Sequence, residues 1–151
     1  AMDLLGRKVV RDGGETARRF LNDVRATVSK LDPQVPAQAS LAKHLGAGVA
    51  ALEAAITWLV KTFPADPGSA SAGAAALLEM MGLVGGGWML ARGGLEASRQ
   101  LANGSGEAAF LEGKLTTAHY FAETHLSQAP ALLDPIIGGG ALVMALDEAQ
   151  F

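Results

Sequence analysis

Apolar positions recur at the helical period along almost the whole chain, and they divide it into four long stripes. The first runs from about Gly14 to Leu31 through Ala17, Phe20, Leu21, Val24, Val28 and Leu31, with Arg18, Arg19 and Arg25 turned away. Asp32-Pro33 ends it, because a proline disfavours helical backbone in the residue before it. The second runs from Pro36 to Phe63, with Leu41, Leu45, Val49, Leu52, Ile56, Leu59 and Phe63 spaced by fours and threes. Pro64-Ala65-Asp66-Pro67-Gly68-Ser69 breaks the pattern. The third, from about Ser71 to Ala102, carries Leu77, Met81, Val84, Trp88, Ala91, Leu95 and Ala102, and Asn103-Gly104-Ser105-Gly106 closes it with residues that tolerate left-handed backbone. The fourth, from about Glu107 to His125, buries Leu111, Leu115, Ala118 and Ala122, with Phe121 beside them. After Pro130 the pattern predicts a short helical turn, a hinge at Gly138-Gly139-Gly140 and a last apolar segment from Ala141 to Leu146. Short connections make neighbours antiparallel. The expected fold is all-α: an up-and-down four-helix bundle with short additional helical segments at both ends.

The third stripe is rich in glycine. Gly82, Gly85, Gly86, Gly87, Gly93 and Gly94 each cost about 1 kcal/mol relative to alanine inside a helix, so helix propensity does not account for them. Close approach of a neighbouring helix is the expected reason. A bend, or a groove beside Trp88 that holds a ligand against exposed backbone, are the alternatives.

Composition narrows the field. Half the residues are apolar and 18% are charged, which excludes a disordered tail. With five Phe, two Trp and one Tyr, the core must be built from aliphatic residues and alanine, which favours close helices over a β-sandwich. The lack of cysteine excludes disulfides and thiolate chemistry. Residues 1–31 carry seven Lys/Arg against four Asp/Glu, and residues 32–151 five against eleven. This asymmetry reads as mutual attraction within one domain or as an interface. No basic stripe with interleaved aromatics points to nucleic acid. The longest strongly apolar stretch, Met80 to Ala91, lies between Glu79 and Arg92 and falls short of the roughly 20 residues a membrane span needs. With no leader visible, the expectation is a soluble, cytoplasmic protein with no membrane partner.

Searches for chemistry return few candidates. None of the eight glutamates has a histidine three residues on, as a di-iron bundle would require. A zinc His-Glu-x-x-His, a nucleophile elbow, a phosphate loop and a dinucleotide fingerprint are also missing. His119 and His125 are six apart and cannot share a metal, and Glu123 and His125 do not face each other. Capping or surface roles are expected for these and for His44. Trp88 reads as a core anchor, whereas Trp58, off its stripe, reads as exposed or docked on something outside. Arg92 and Arg99 share a face and are expected to meet Glu107 or Glu112, or an anionic partner. No catalytic, cofactor-binding or metal-binding residue is assigned.

Four stretches nonetheless carry a family resemblance. Met2-Asp-Leu-Leu-Gly-Arg-Lys-Val-Val-Arg-Asp-Gly-Gly14 resembles the segment that closes the helical dehydrogenase domain of some acyl-CoA dehydrogenases, the longer enzymes of the 3-methylmercaptopropionyl-CoA dehydrogenase type. Gly85-Gly-Gly-Trp-Met-Leu-Ala-Arg92, Phe110-Leu-Glu-Gly-Lys-Leu-Thr-Thr-Ala-His-Tyr-Phe-Ala-Glu123 and Leu146-Asp-Glu-Ala-Gln-Phe151 resemble their extra C-terminal domain. The resemblance implies FAD-dependent α,β-dehydrogenation of an acyl-CoA thioester by a homo-oligomeric parent. In that family a glutamate in a Glu-Gly-Thr motif removes the α-proton. No Glu-Gly-Thr occurs here, so the base transfers to no residue of this chain.

Residues 1–13 are therefore expected to end the segment joining an upstream catalytic domain, with the junction around Arg7, Lys8 and Arg11, and residues 14–151 to form a C-terminal accessory bundle that packs on that domain. FAD is expected in the parent and no cofactor in this portion; Ala1 reads as a remnant ahead of Met2. A free-standing helical interaction module is the alternative.

Overall fold

The computed structural model describes residues 1–150; Phe151, which closes the 146–151 motif and the expected 14–151 domain, lies outside the described residues. Local chemistry sets where the helices start. The Asp12 carboxylate accepts hydrogen bonds from the Thr16 hydroxyl (2.5 Å), Thr16 N–H (2.9 Å) and Gly14 N–H (3.1 Å), and so opens α1 (Glu15–Val28). Gly14 takes φ +86°, where a side chain would be strained. Pro36 begins α2 (Pro36–Thr62) and Pro67 begins α3 (Pro67–Ala72), at positions where the missing N–H would have had no helical partner. Asp66 caps α3 by accepting from Ser69 N–H at 3.0 Å.

Three more helices follow: α4 (Ala74–Ala102), α5 (Ala108–Thr124) and α6 (Leu133–Val143), the last reached through a 3-10 segment, Leu126–Leu132. A short 3-10 turn, Glu148–Gln150, follows α6. No strand occurs among the described residues, so the chain is all-α, and the four expected stripes correspond to α1, α2, α4 and α5.

The core centres on α2, whose Leu41, Leu45, Leu52, Ile56 and Leu59 are fully buried against α1, α4 and α5. Burial of such a side chain stabilises by about 1.5–3 kcal/mol. The buried Gln38 ties the helices together: its carbonyl accepts from Asp32 N–H at 2.8 Å and its amide donates to Ser98 Oγ on α4 at 2.8 Å.

Several expectations change. The break ahead of the third stripe holds a short helix of its own, α3, and α6 crosses at Gly73 between α3 and α4, where an added Cβ would stand 2.8 Å from the Ile136 carbonyl oxygen. Gly138–Gly140 is not a hinge but the middle of α6; a Cβ on Gly140 would stand 2.7 Å from Ser69 Cα. The buried stripe of α4 keeps the expected Leu77, Val84 and Ala91, but between and beyond them it runs through Met80, Gly87, Gly94 and Ala97 rather than Met81, Trp88, Leu95 and Ala102. Trp88 is consequently half-buried at the α1–α4 seam, not in the core, and Ala102 is exposed. Gly87 packs closely as expected, but Gly82 and Gly93 have nothing within 4 Å of a would-be Cβ.

The short helical segment expected at the N-terminal end is Leu4–Val10, a π-helix whose Leu5 and Val9 are buried in the same core. The reading of Met80–Ala91 as too short for a membrane span also needs correction. By length and composition alone α2, α4 and the stretch Ala108–Val143 are each long and apolar enough, since single charges such as Glu79 and Arg92 interrupt but do not end such a window.

Candidate functional site

Two places bring polar and reactive groups or open space together. The first lies between α2 and α5. His119 and Glu123, four residues apart on α5, share a face, and α2 presents Ser40 and His44 to them. Ser40 Oγ donates to Glu123 Oε1 at 2.6 Å; His44 Nε2 lies 3.6 Å from Glu123 Oε2 and His119 Nε2 lies 3.9 Å from Oε1. The Ser40 hydrogen bond is the main reason that the Glu123 carboxyl titrates below its ordinary value; His44, Lys43 and His119 add favourable charge, while partial desolvation opposes them.

His44 therefore corrects the surface expectation. Its side chain is 13% exposed, and its Nε2 is buried without a hydrogen-bond partner. His125 instead packs against Phe121, ring centroids 5.4 Å apart. Serine, histidine and carboxylate together invite comparison with a nucleophilic triad, but the order is wrong. The Ser40 hydroxyl donates to the carboxylate rather than to an imidazole, so the serine–imidazole contact of a triad is missing. Among the described residues no three His, Cys, Asp or Glu are placed to hold a metal ion. The arrangement is a polar tie between two helices. The i, i+4 spacing of His119 and Glu123 was legible in the sequence; the approach of α2 was not.

The second place is a groove of about 470 Å³ between α4 and α5. Gly93 and Gly113 leave its floor at backbone level, Met89 and Phe110 form apolar walls, and the Lys114 ammonium stands 4.8 Å over the Phe110 ring.

The remaining singled-out residues fall elsewhere. Trp88 Nε1 donates to Thr27 Oγ1 at 2.7 Å, and Phe20 meets its ring edge-on at 5.6 Å between centroids. Trp58 is half-buried against the core. Arg92 does not meet Glu107 or Glu112 but lies 5.5 Å over the Trp88 ring, and Arg99 pairs with Glu96 one turn earlier. Arg99 and Gln100 together draw the Glu96 carboxyl down to about 2. Arg7 pairs with Asp3 at 2.6 Å and, with Lys8 and Arg11, lines a surface depression.

Comparison with known proteins then decides the family. Residues 20–147 match the family model described as acetyl-CoA dehydrogenase C-terminal like. The chain belongs to that family. A curated member, 3-methylmercaptopropionyl-CoA dehydrogenase of Ruegeria pomeroyi, is 41% identical over 131 residues. The match takes in 87% of this chain but only 22% of that relative. The C-terminal-like chain thus spans about a fifth of the curated relative it matches.

Proposed function

We propose that the chain is the C-terminal helical domain of an FAD-dependent acyl-CoA dehydrogenase, that it packs on an upstream catalytic domain of the same polypeptide and supports its assembly as a homo-oligomer, and that it performs no chemistry itself. The observation that carries this reading is the uneven coverage: most of this chain matches about a fifth of a dehydrogenase. The parent reaction is α,β-dehydrogenation of an acyl-CoA thioester, for which FAD would supply the oxidising group.

The residues present do not fit the flavin. The α4–α5 groove is apolar, and its single cation, Lys114, is engaged over Phe110, so a dinucleotide pyrophosphate would find no set of donors there. Ser40 and Glu123 are likewise occupied with each other. On this reading flavin and thioester contacts belong upstream, and the chain contributes a rigid bundle.

A cytoplasmic location is part of the proposal. Support comes from the packing of the apolar helices against one another through polar ties such as Gln38–Ser98 and Arg25–Glu53, the latter at 2.7 Å.

The test is a pair of proteins. A polypeptide carrying the upstream region should purify with yellow flavin absorbance and reduce an electron-acceptor dye with acyl-CoA. The 151-residue chain should be colourless and inert. A flavin-free, inactive long polypeptide would sink the reading and favour a free-standing interaction module.

A further inference from the structure

The outward faces of α4 and α5 leave apolar surface uncovered. Met89 is 47% and Phe110 59% exposed, and only 33% of the most apolar window of α4 is buried. A helix apolar on that scale is ordinarily covered on more than one side. The glycines sharpen the point. Gly93 and Gly113 have nothing within 4 Å of where a Cβ would stand, so no neighbour inside the bundle requires them to be glycine. Each nevertheless weakens its helix relative to alanine. What they keep is depth: a groove of about 470 Å³ with backbone at its floor, apolar walls, and one charge, Lys114, at its edge.

We propose that this groove receives an apolar helical ridge from the rest of the dehydrogenase polypeptide, with one acidic side chain of that ridge paired to Lys114. The proposal rests on the functional reading above, and four arguments choose this occupant. The matched relative is several times longer than the chain, so most of its polypeptide is available to lie here. Attachment in the same chain makes docking intramolecular, and a groove of modest size then suffices. The groove is concave, so the same surface of a second copy would set hollow against hollow rather than fill it, as a two-fold contact must. Finally, one lysine in an apolar lining calls for a single carboxylate and lacks the cluster of basic residues that draws a helix to anionic lipid.

The chain contains no cysteine, which makes the groove easy to probe. Gly113→Cys and Thr117→Cys place thiols in it, and Gln34→Cys, exposed in the turn at the end of α1 away from residues 7–11, serves as control. Alkylation is followed by peptide mass in the 151-residue chain and in the flavin-loaded long polypeptide. The groove thiols should react at least tenfold more slowly in the long polypeptide, with the control unchanged. Lys114→Glu in the long polypeptide should restore much of the reactivity, and Lys114→Arg should not.

Equal labelling in a yellow, active long polypeptide overturns the docking while leaving the functional reading intact. Protection that instead rises with concentration of the 151-residue chain assigns the groove to a second copy and overturns the proposal. Protection that appears only on adding anionic phospholipid vesicles assigns it to lipid, with the same consequence. If a cysteine variant does not fold, hydrogen exchange of the unsubstituted proteins over residues 89–93 and 110–117 gives the same answer. Unchanged exchange in the long polypeptide overturns the proposal.

Discussion

Alanine substitution along α4 separates glycines that hold a neighbour from glycines that hold open space. At Gly87 an added Cβ would stand 2.8 Å from Leu126 Cδ2 and 3.2 Å from Leu45 Cδ2. Both leucines are fully buried, and Leu126 sits at the head of the 3-10 segment that packs between α2 and α4. At Gly82 and Gly93 nothing lies within 4 Å. Removing glycine from a helix interior gains about 0.5–1 kcal/mol at all three sites.

At Gly87 alone, overpacking opposes this gain by about 1–3 kcal/mol. Gly82→Ala and Gly93→Ala should therefore raise the stability of the 151-residue chain, and Gly87→Ala should lower it by up to about 2 kcal/mol. The assay is urea unfolding followed by far-UV circular dichroism, with thermal midpoints moving about 2–4 °C per kcal/mol for a domain of this size.

A second substitution identifies the cause. Leu126→Ala alone should cost about 2–5 kcal/mol. Adding Gly87→Ala to it should then be neutral or favourable, because the methyl enters the vacated space; the two sites couple by about 1–2 kcal/mol. If Gly87→Ala stabilises as much as Gly82→Ala, the close-packing account of Gly87 fails.

The other predictions concern polar ties and the α6 crossing. Thr27→Val removes the acceptor of the Trp88 indole N–H and should cost about 1–2 kcal/mol in unfolding experiments, with a shift in tryptophan emission. The lowered Glu123 pKa contributes stability that is present above the unfolded carboxyl value and lost as pH falls through the folded one. Ser40→Ala should accordingly flatten the acid limb of a stability–pH curve and leave it unchanged near neutrality in shape. Glu96 should titrate near about 2 in a carboxyl-resolved NMR experiment, and Arg99→Gln should move it back toward ordinary glutamate values. Gly140→Ala should detach α6, because the Ser69 backbone facing it cannot yield as a side-chain tip can; protease cleavage within residues 133–143 should rise before global unfolding.

The sequence by itself determined the helical class, the extents of α1, α2 and α5 to within a few residues, and the family. These follow from local period and from prolines, caps and motifs adjacent in the chain. The α2 stripe was legible because its face is marked by large aliphatic residues from Leu41 to Leu59. The α4 stripe was legible only in part, at Leu77, Val84 and Ala91, because Gly87 and Gly94 lie on its buried face, and a missing side chain carries no hydrophobic signal. Only the tertiary structure decided that Leu126 fills the space left by Gly87, that α6 crosses at Gly73, and that Ser40 and His44 join His119 and Glu123. It also parted the glycines facing neighbours from those facing the α4–α5 groove. Each of these depends on which helix lies opposite, and a helical period specifies a face without naming what covers it.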